Sequence, residues 1–124
     1  MASVKLRVDG RIISKALQAQ LAEVNNPTTM LAIHNTLAKY CDPYVPFLNG
    51  PLSQTIVVTD KGVVYTQPYA RYQYFGYGFD HTLDYHPLAS SYWDKAMLRD
   101  KRVEFNHEVK DIIEWRLLKA NARR

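Results

Sequence analysis

The chain has one cysteine, Cys41, which excludes an internal disulfide and any zinc cage built on several thiolates. It has no run of the ~18–20 apolar residues that a membrane helix needs. The opening Met-Ala-Ser-Val-Lys-Leu-Arg carries no apolar stretch of signal-peptide length. A soluble protein made in a reducing cytoplasm, with no membrane span, is therefore expected. Internal repeats and low-complexity segments are absent, as are a Walker loop, a dinucleotide fingerprint, a His-Glu-x-x-His pair and a Gly-x-Ser-x-Gly elbow. Those absences remove the commonest enzyme signatures and turn attention to surfaces.

At 124 residues the chain has the length of one domain, and 47% hydrophobic residues suffice for one modest core. The net charge of +4 is uneven. Residues 1–50 carry 5 basic against 3 acidic side chains, residues 51–90 carry 2 against 3, and residues 91–124 carry 9 against 6. This is too mild and too interspersed for a dedicated duplex-DNA reader, although weak attraction to phosphate is retained. The middle is poor in charge but rich in rings: 7 of the 9 tyrosines lie between Tyr65 and Tyr92. Tyrosine combines a large apolar face with a polar tip, as protein interfaces require.

Val4 to Val8 alternates apolar and basic residues and predicts a short strand, closed by Asp9-Gly10. Ile12, Ile13, Ala16, Leu17, Leu21 and Val24 recur at helical spacing, so a helix is expected from Arg11 to Val24, stopped by Asn25-Asn26-Pro27. Thr28 or Thr29 is the expected cap of a second helix carrying Leu31, Ile33, His34 and Leu37, ending before Cys41-Asp42-Pro43. A proline-pinned loop spans Tyr44 to Pro51. Two β-branched runs, Gln54–Thr59 and Val63–Thr66, flank Asp60-Lys61-Gly62 and predict a hairpin. Pro68 opens a short helical turn from Tyr69 to Tyr74. A loop with Gly76 and Gly78 then precedes a long helix capped by Ser90 or Ser91. That helix carries Trp93, Ala96, Met97, Val103, Val109, Ile112, Ile113 and Leu117, with no internal proline or glycine. The expected fold is α+β, a single domain over residues 1–124. In it, two N-terminal helices and a long C-terminal helix pack on a small antiparallel β-sheet made of the hairpin and the N-terminal strand.

Candidate chemistry is sparse. Asp80, His81, Asp84 and His86 are metal-ligand types close in sequence, but they sit in a glycine-flanked loop without a rigid frame, so a polar loop is the simpler reading. His34 reads as a hydrogen-bonded, half-buried core histidine. Cys41 beside Asp42 has a neighbour that raises a thiol's pKa, which makes a poor nucleophile. The rings could stack on bases, yet only Arg71 and Lys61 accompany them in sequence. No catalytic residue, cofactor or metal is expected. Trp93 reads as a core anchor; Trp115 fits core or interface equally.

Three motifs in order resemble the minor capsid proteins, the neck or tail-completion components, of long-tailed phages of Gram-positive hosts. They are Tyr44-Val45-Pro46-Phe47-Leu48-Asn49-Gly50-Pro51-Leu52, then Pro68-Tyr69-Ala70-Arg71-Tyr72-Gln73-Tyr74-Phe75-Gly76 after the hairpin, then His86-Pro87-Leu88-Ala89 with Trp93. The resemblance implies a structural subunit of the head–tail connector, located in the virion. It would assemble as a homo-oligomeric ring against neck, portal-side and tail proteins, with non-specific contact to genome DNA as a further expectation. Tyr44, Pro46, Gly50, Leu52, Tyr69, Arg71, Tyr72, Tyr74, Phe75, Tyr77 and Trp93 are the expected interface residues. The alternatives are a nucleic-acid-binding module using the tyrosines, or a small metal-dependent hydrolase.

Overall fold

The structure is a computed structural model that describes residues 4–45, 56–66, 70–75 and 92–122, with the side chains of 71–73 and 121–122 set aside. Strands β1 (Val4–Leu6), β2 (Ile56–Thr59) and β3 (Gly62–Tyr65) form an antiparallel sheet in the order β1-β3-β2. Val63 and Tyr65 of the central strand stand opposite Leu6 and Val4 on one side and Val58 and Ile56 on the other. That row faces the core, where Val63 and Tyr65 are fully buried. The alternate row, Lys5, Val64 and Val57, turns outward, as the two-residue period of a pleated sheet dictates. The predicted hairpin is present, tied by Asp60 and Lys61. Gly62 has φ +154°, and a Cβ there would lie 2.6 Å from the Leu6 carbonyl oxygen on the neighbouring strand. Close approach of two backbones at this corner therefore requires glycine.

β1 is shorter than the alternation of Val4 to Val8 predicts. The Val8 N–H leaves the ladder and donates to His34 Nε2 at 3.2 Å. Asp9 then folds the chain into a turn: its carbonyl accepts from the Ile12 and Ile13 amides, and its carboxylate accepts from the Arg11 amide at 2.9 Å. Helix α1 consequently starts later than expected, at Lys15–Val24, with the Ser14 hydroxyl accepting from the Leu17 amide. Ile12 and Ile13 are buried all the same, in the turn, ahead of the stripe Leu17, Leu21 and Val24.

Helix α2 (Pro27–Cys41) is capped by Asn26, whose side chain accepts from the Thr29 amide at 2.9 Å. The expected caps Thr28 and Thr29 lie inside the helix. Pro27 begins it, because a first-turn residue has no amide to lose to the helix ladder. Asp42–Tyr44 tightens into a 3-10 turn that ends in Tyr44 and Val45, both buried. Helix α3 (Ala70–Phe75) is the short turn expected around Tyr69 to Tyr74.

Helix α4 (Trp93–Ala122) packs chiefly against α2 and α1. It is not the uninterrupted rod that the lack of proline and glycine suggests, because Lys101 leaves helical geometry at φ −133°, ψ 25°. The apolar spacing supplies the reason. At 3.6 residues per turn, Trp93 and Phe105 would lie about 120° apart around a straight helix, so only one could face the core. The joint at Lys101 brings both stripes inward: Trp93 and Met97 before it, Phe105, Val109 and Ile113 after it, all fully buried. Asn106 fixes the joint, donating to the Arg102 and Ile12 carbonyls and accepting from the Ser14 amide. Val103, expected on the apolar stripe, is instead 78% exposed.

Candidate functional site

His34 is deeper than its sequence position suggested. It is fully buried, with Nδ1 donating to the Thr59 carbonyl at 3.1 Å while Nε2 accepts from Val8. That pattern fixes the neutral tautomer protonated at Nδ1, and burial lowers its pKa below the ordinary imidazole value. The ring ties α2 to both edge strands and has no free nitrogen for a substrate or metal. Cys41 is fully buried and its thiol is pushed far up by that burial, so it stays protonated and inert. Among the described residues no cluster of three or more His, Cys, Asp or Glu side chains could hold a metal. Asp80, His81, Asp84 and His86 lie outside the described residues.

The expected interface residues divide three ways. Tyr44 and Trp93 are buried in the domain's own core, at 1% and 0% exposure. Tyr44 donates its hydroxyl to Asp100 Oδ2 at 3.1 Å, bracing the turn of α4 just before the joint. Tyr74 and Phe75 are half-buried at the surface end of an aromatic cluster. Pro46, Gly50, Leu52, Tyr69 and Tyr77, together with the side chains of Arg71 and Tyr72, lie outside the described part.

That cluster runs from the sheet to the surface. Tyr65 meets Trp93 edge to face at 5.0 Å between ring centroids, Trp93 meets Tyr74 at 4.8 Å, and Tyr74 meets both Phe75 and Tyr92 at 5.2 and 5.1 Å. Such T-shaped pairs match the positive ring edge to the negative ring face. Tyr74 donates to Asp94 at 2.7 Å, and burial followed by that hydrogen bond raises its phenol well above the ordinary value. Tyr92 opens α4 in the left-handed region at φ +50°, an uncommon conformation for a bulky residue. The Tyr74 carbonyl holds it there, accepting the Tyr92 amide at 2.7 Å.

Beside the cluster, β1, α3 and the first turns of α4 enclose a cleft of about 420 Å³. Its walls gather Lys5, Arg7 and Arg11 from one end of the chain and Lys95 and Arg102 from the other, with Asp94 the one acidic lining residue among the described residues. Sequence reasoning missed this convergence, because the cations are close in space but far apart along the chain. A second exposed feature lies on the distal half of α4. Trp115 is 52% exposed and Leu118 67%, one turn apart. The cations of Arg116 and Lys119 sit over the indole at 5.0 and 5.1 Å. This resolves the alternatives left open for Trp115: it is a surface ring.

Compared with known proteins, residues 4–115 match the family model described as minor capsid protein. No curated protein and no solved structure matches the chain.

Proposed function

This chain belongs to the minor capsid protein family, and on that premise we propose that it is a subunit of the connector between the head and tail of a long-tailed phage. Family membership supports the reading of a structural component of the virion. The finer reading is that copies join into a ring that meets neck, portal-side and tail proteins. The three motifs around Tyr44 to Leu52, Pro68 to Gly76 and His86 to Trp93 support it. The observation that carries it is the pairing of Trp115 with Leu118 on the distal half of α4, both largely exposed.

An exposed tryptophan beside an aliphatic side chain and two cations has the composition of an interface anchor, since Trp and Arg dominate measured hot spots. A ring needs two unlike surfaces on each copy, one docking on the other of its neighbour. Distal α4 supplies one. The surface end of the aromatic cluster, Tyr74 and Phe75, supplies the other; Tyr69, Arg71, Tyr72, Tyr77, Pro46, Gly50 and Leu52 are proposed as further interface residues from the sequence motifs alone. Trp93 braces that second surface from inside through its contact with Tyr74.

The test replaces Trp115 and Leu118 together by serine and asks for rescue of a phage lacking the gene. The isolated variant keeps the wild-type melting temperature, because neither side chain is in the core, while separated heads and tails accumulate. Wild-type titres from this variant refute the reading. The alternative of bases stacking on the tyrosines has a specific obstacle: the rings of Tyr74, Phe75 and Tyr92 are already engaged with one another.

A further inference from the structure

The cleft between β1 and the start of α4 combines features that neither the family description nor the connector reading assigns. Lys5, Arg7 and Arg102 line it and form no ion pair among the described residues, while Arg11 is held by Asp9 at 3.0 Å. The N-terminal end of α4 also opens at this cleft, adding the positive pole of the helical segment that precedes the joint at Lys101. The floor is apolar, made by the buried Leu6, Ile12 and Leu98. We propose that this cleft is a docking site for an acidic peptide segment of a partner protein. The segment's carboxylates meet Lys5, Arg7 and Arg102, and one apolar side chain packs over Leu6, Ile12 and Leu98.

Two observations favour a peptide over a nucleic acid. Single strands are bound by tracks that follow the backbone and by rings with open faces. Here the hollow is a half-open pocket of about 420 Å³, the size of a site for one small group rather than an extended track. The rings at its edge face one another, and Lys95 caps Tyr92 at 4.9 Å. The unpaired cations also steer an acidic partner during encounter, which raises the association rate at low salt.

The inference rests on reading the chain as a part that works by protein contact, and it names the chemistry of one such contact. The probe is a fluorescein-labelled peptide of glutamates flanking a phenylalanine, titrated by polarisation. A glutamine version and a short oligothymidylate serve as comparators. The acidic peptide binds, weakens with added salt, and loses about tenfold or more in affinity to the Arg7→Glu/Arg102→Glu variant. A Lys110→Glu control, on the exposed part of α4 away from the cleft, leaves it unchanged. Amide shift mapping on the wild-type protein places the peptide at residues 5–12 and 95–102, which keeps the test valid should the double variant fold poorly. Absence of peptide binding, equal binding of the glutamine version, tighter binding of oligothymidylate, or shifts elsewhere overturns the proposal. The Trp115 and Leu118 variant tests the connector reading at the opposite end of α4, so the two failures are distinguishable.

Discussion

Replacing His34 tests how the sheet is fastened to the helices. Its ring satisfies two buried backbone groups, the Val8 N–H and the Thr59 C=O, from a fully buried position. His34→Leu fills much of the space but orphans both, at about 1–3 kcal/mol for each unsatisfied group. The expected loss is therefore about 2–6 kcal/mol, a large share of the ~5–15 kcal/mol that holds a domain of this kind together. His34→Gln keeps an acceptor and a donor on one side chain and costs less than the leucine change. The two variants also separate packing from titration. His34 has a depressed pKa, so folding excludes its proton, and the unfolded chain binds more protons as pH falls below the ordinary value of 6.5. Stability is full above 6.5 and declines below it, until the folded-state pKa is reached. At pH 5.5 this linkage withdraws at most about 1.4 kcal/mol, because the unfolded imidazole is then roughly ten parts protonated to one. Asp9, Asp100 and Glu108 are depressed from 3.8 and 4.5, so their contributions fail at lower pH, outside this window. Urea unfolding at pH 7.5 and 5.5 is the assay. The wild type loses midpoint on acidification, and the glutamine variant loses less. An identical pH response in both proteins refutes the assignment of His34 as a buried neutral clamp.

Two further outcomes follow from the geometry. Gly62→Ala places a Cβ at 2.6 Å from the Leu6 carbonyl at a backbone angle that L-residues avoid, and costs about 2 kcal/mol or more by chemical denaturation; a neutral result removes the close β1–β3 approach from the account. Cys41, with its thiol held protonated by burial, reacts with a disulfide reagent at pH 8 only as fast as the protein unfolds, and rapid labelling of the native state contradicts the buried placement.

Much of the scaffold was readable because local chemistry and tertiary packing agree there. The hairpin needed only two β-branched runs around Asp60-Lys61-Gly62, and the three main helices announced themselves through apolar spacing. The boundaries that moved did so where a side chain intervened from elsewhere. His34 takes the Val8 amide and shortens β1; Asp9 takes the amides of Arg11, Ile12 and Ile13 and delays α1. Asn26 and Pro27 read as a stop, although one is a cap and the other a first-turn residue of the following helix. The joint in α4 left a faint trace, the drift of its apolar positions between Met97 and Phe105, but Lys101 itself is an ordinary helix former. The basic cleft left none, because Arg7 and Arg102 meet only once the whole chain is folded. Trp115 could not be assigned from periodicity, since a ring at the tip of a helix suits an inner or an outer face equally.

Phase is what the bend at Lys101 sets. Each residue added to a helix rotates all that follows by about 100°, so removing one between Leu98 and Glu104 would swing Phe105, Val109 and Ile113 toward water and carry Trp115 around with them. The length of this short stretch thus indexes the outer tip of the molecule against its sheet, and insertions or deletions there are forbidden even though every side chain in it but one points to solvent or its margin.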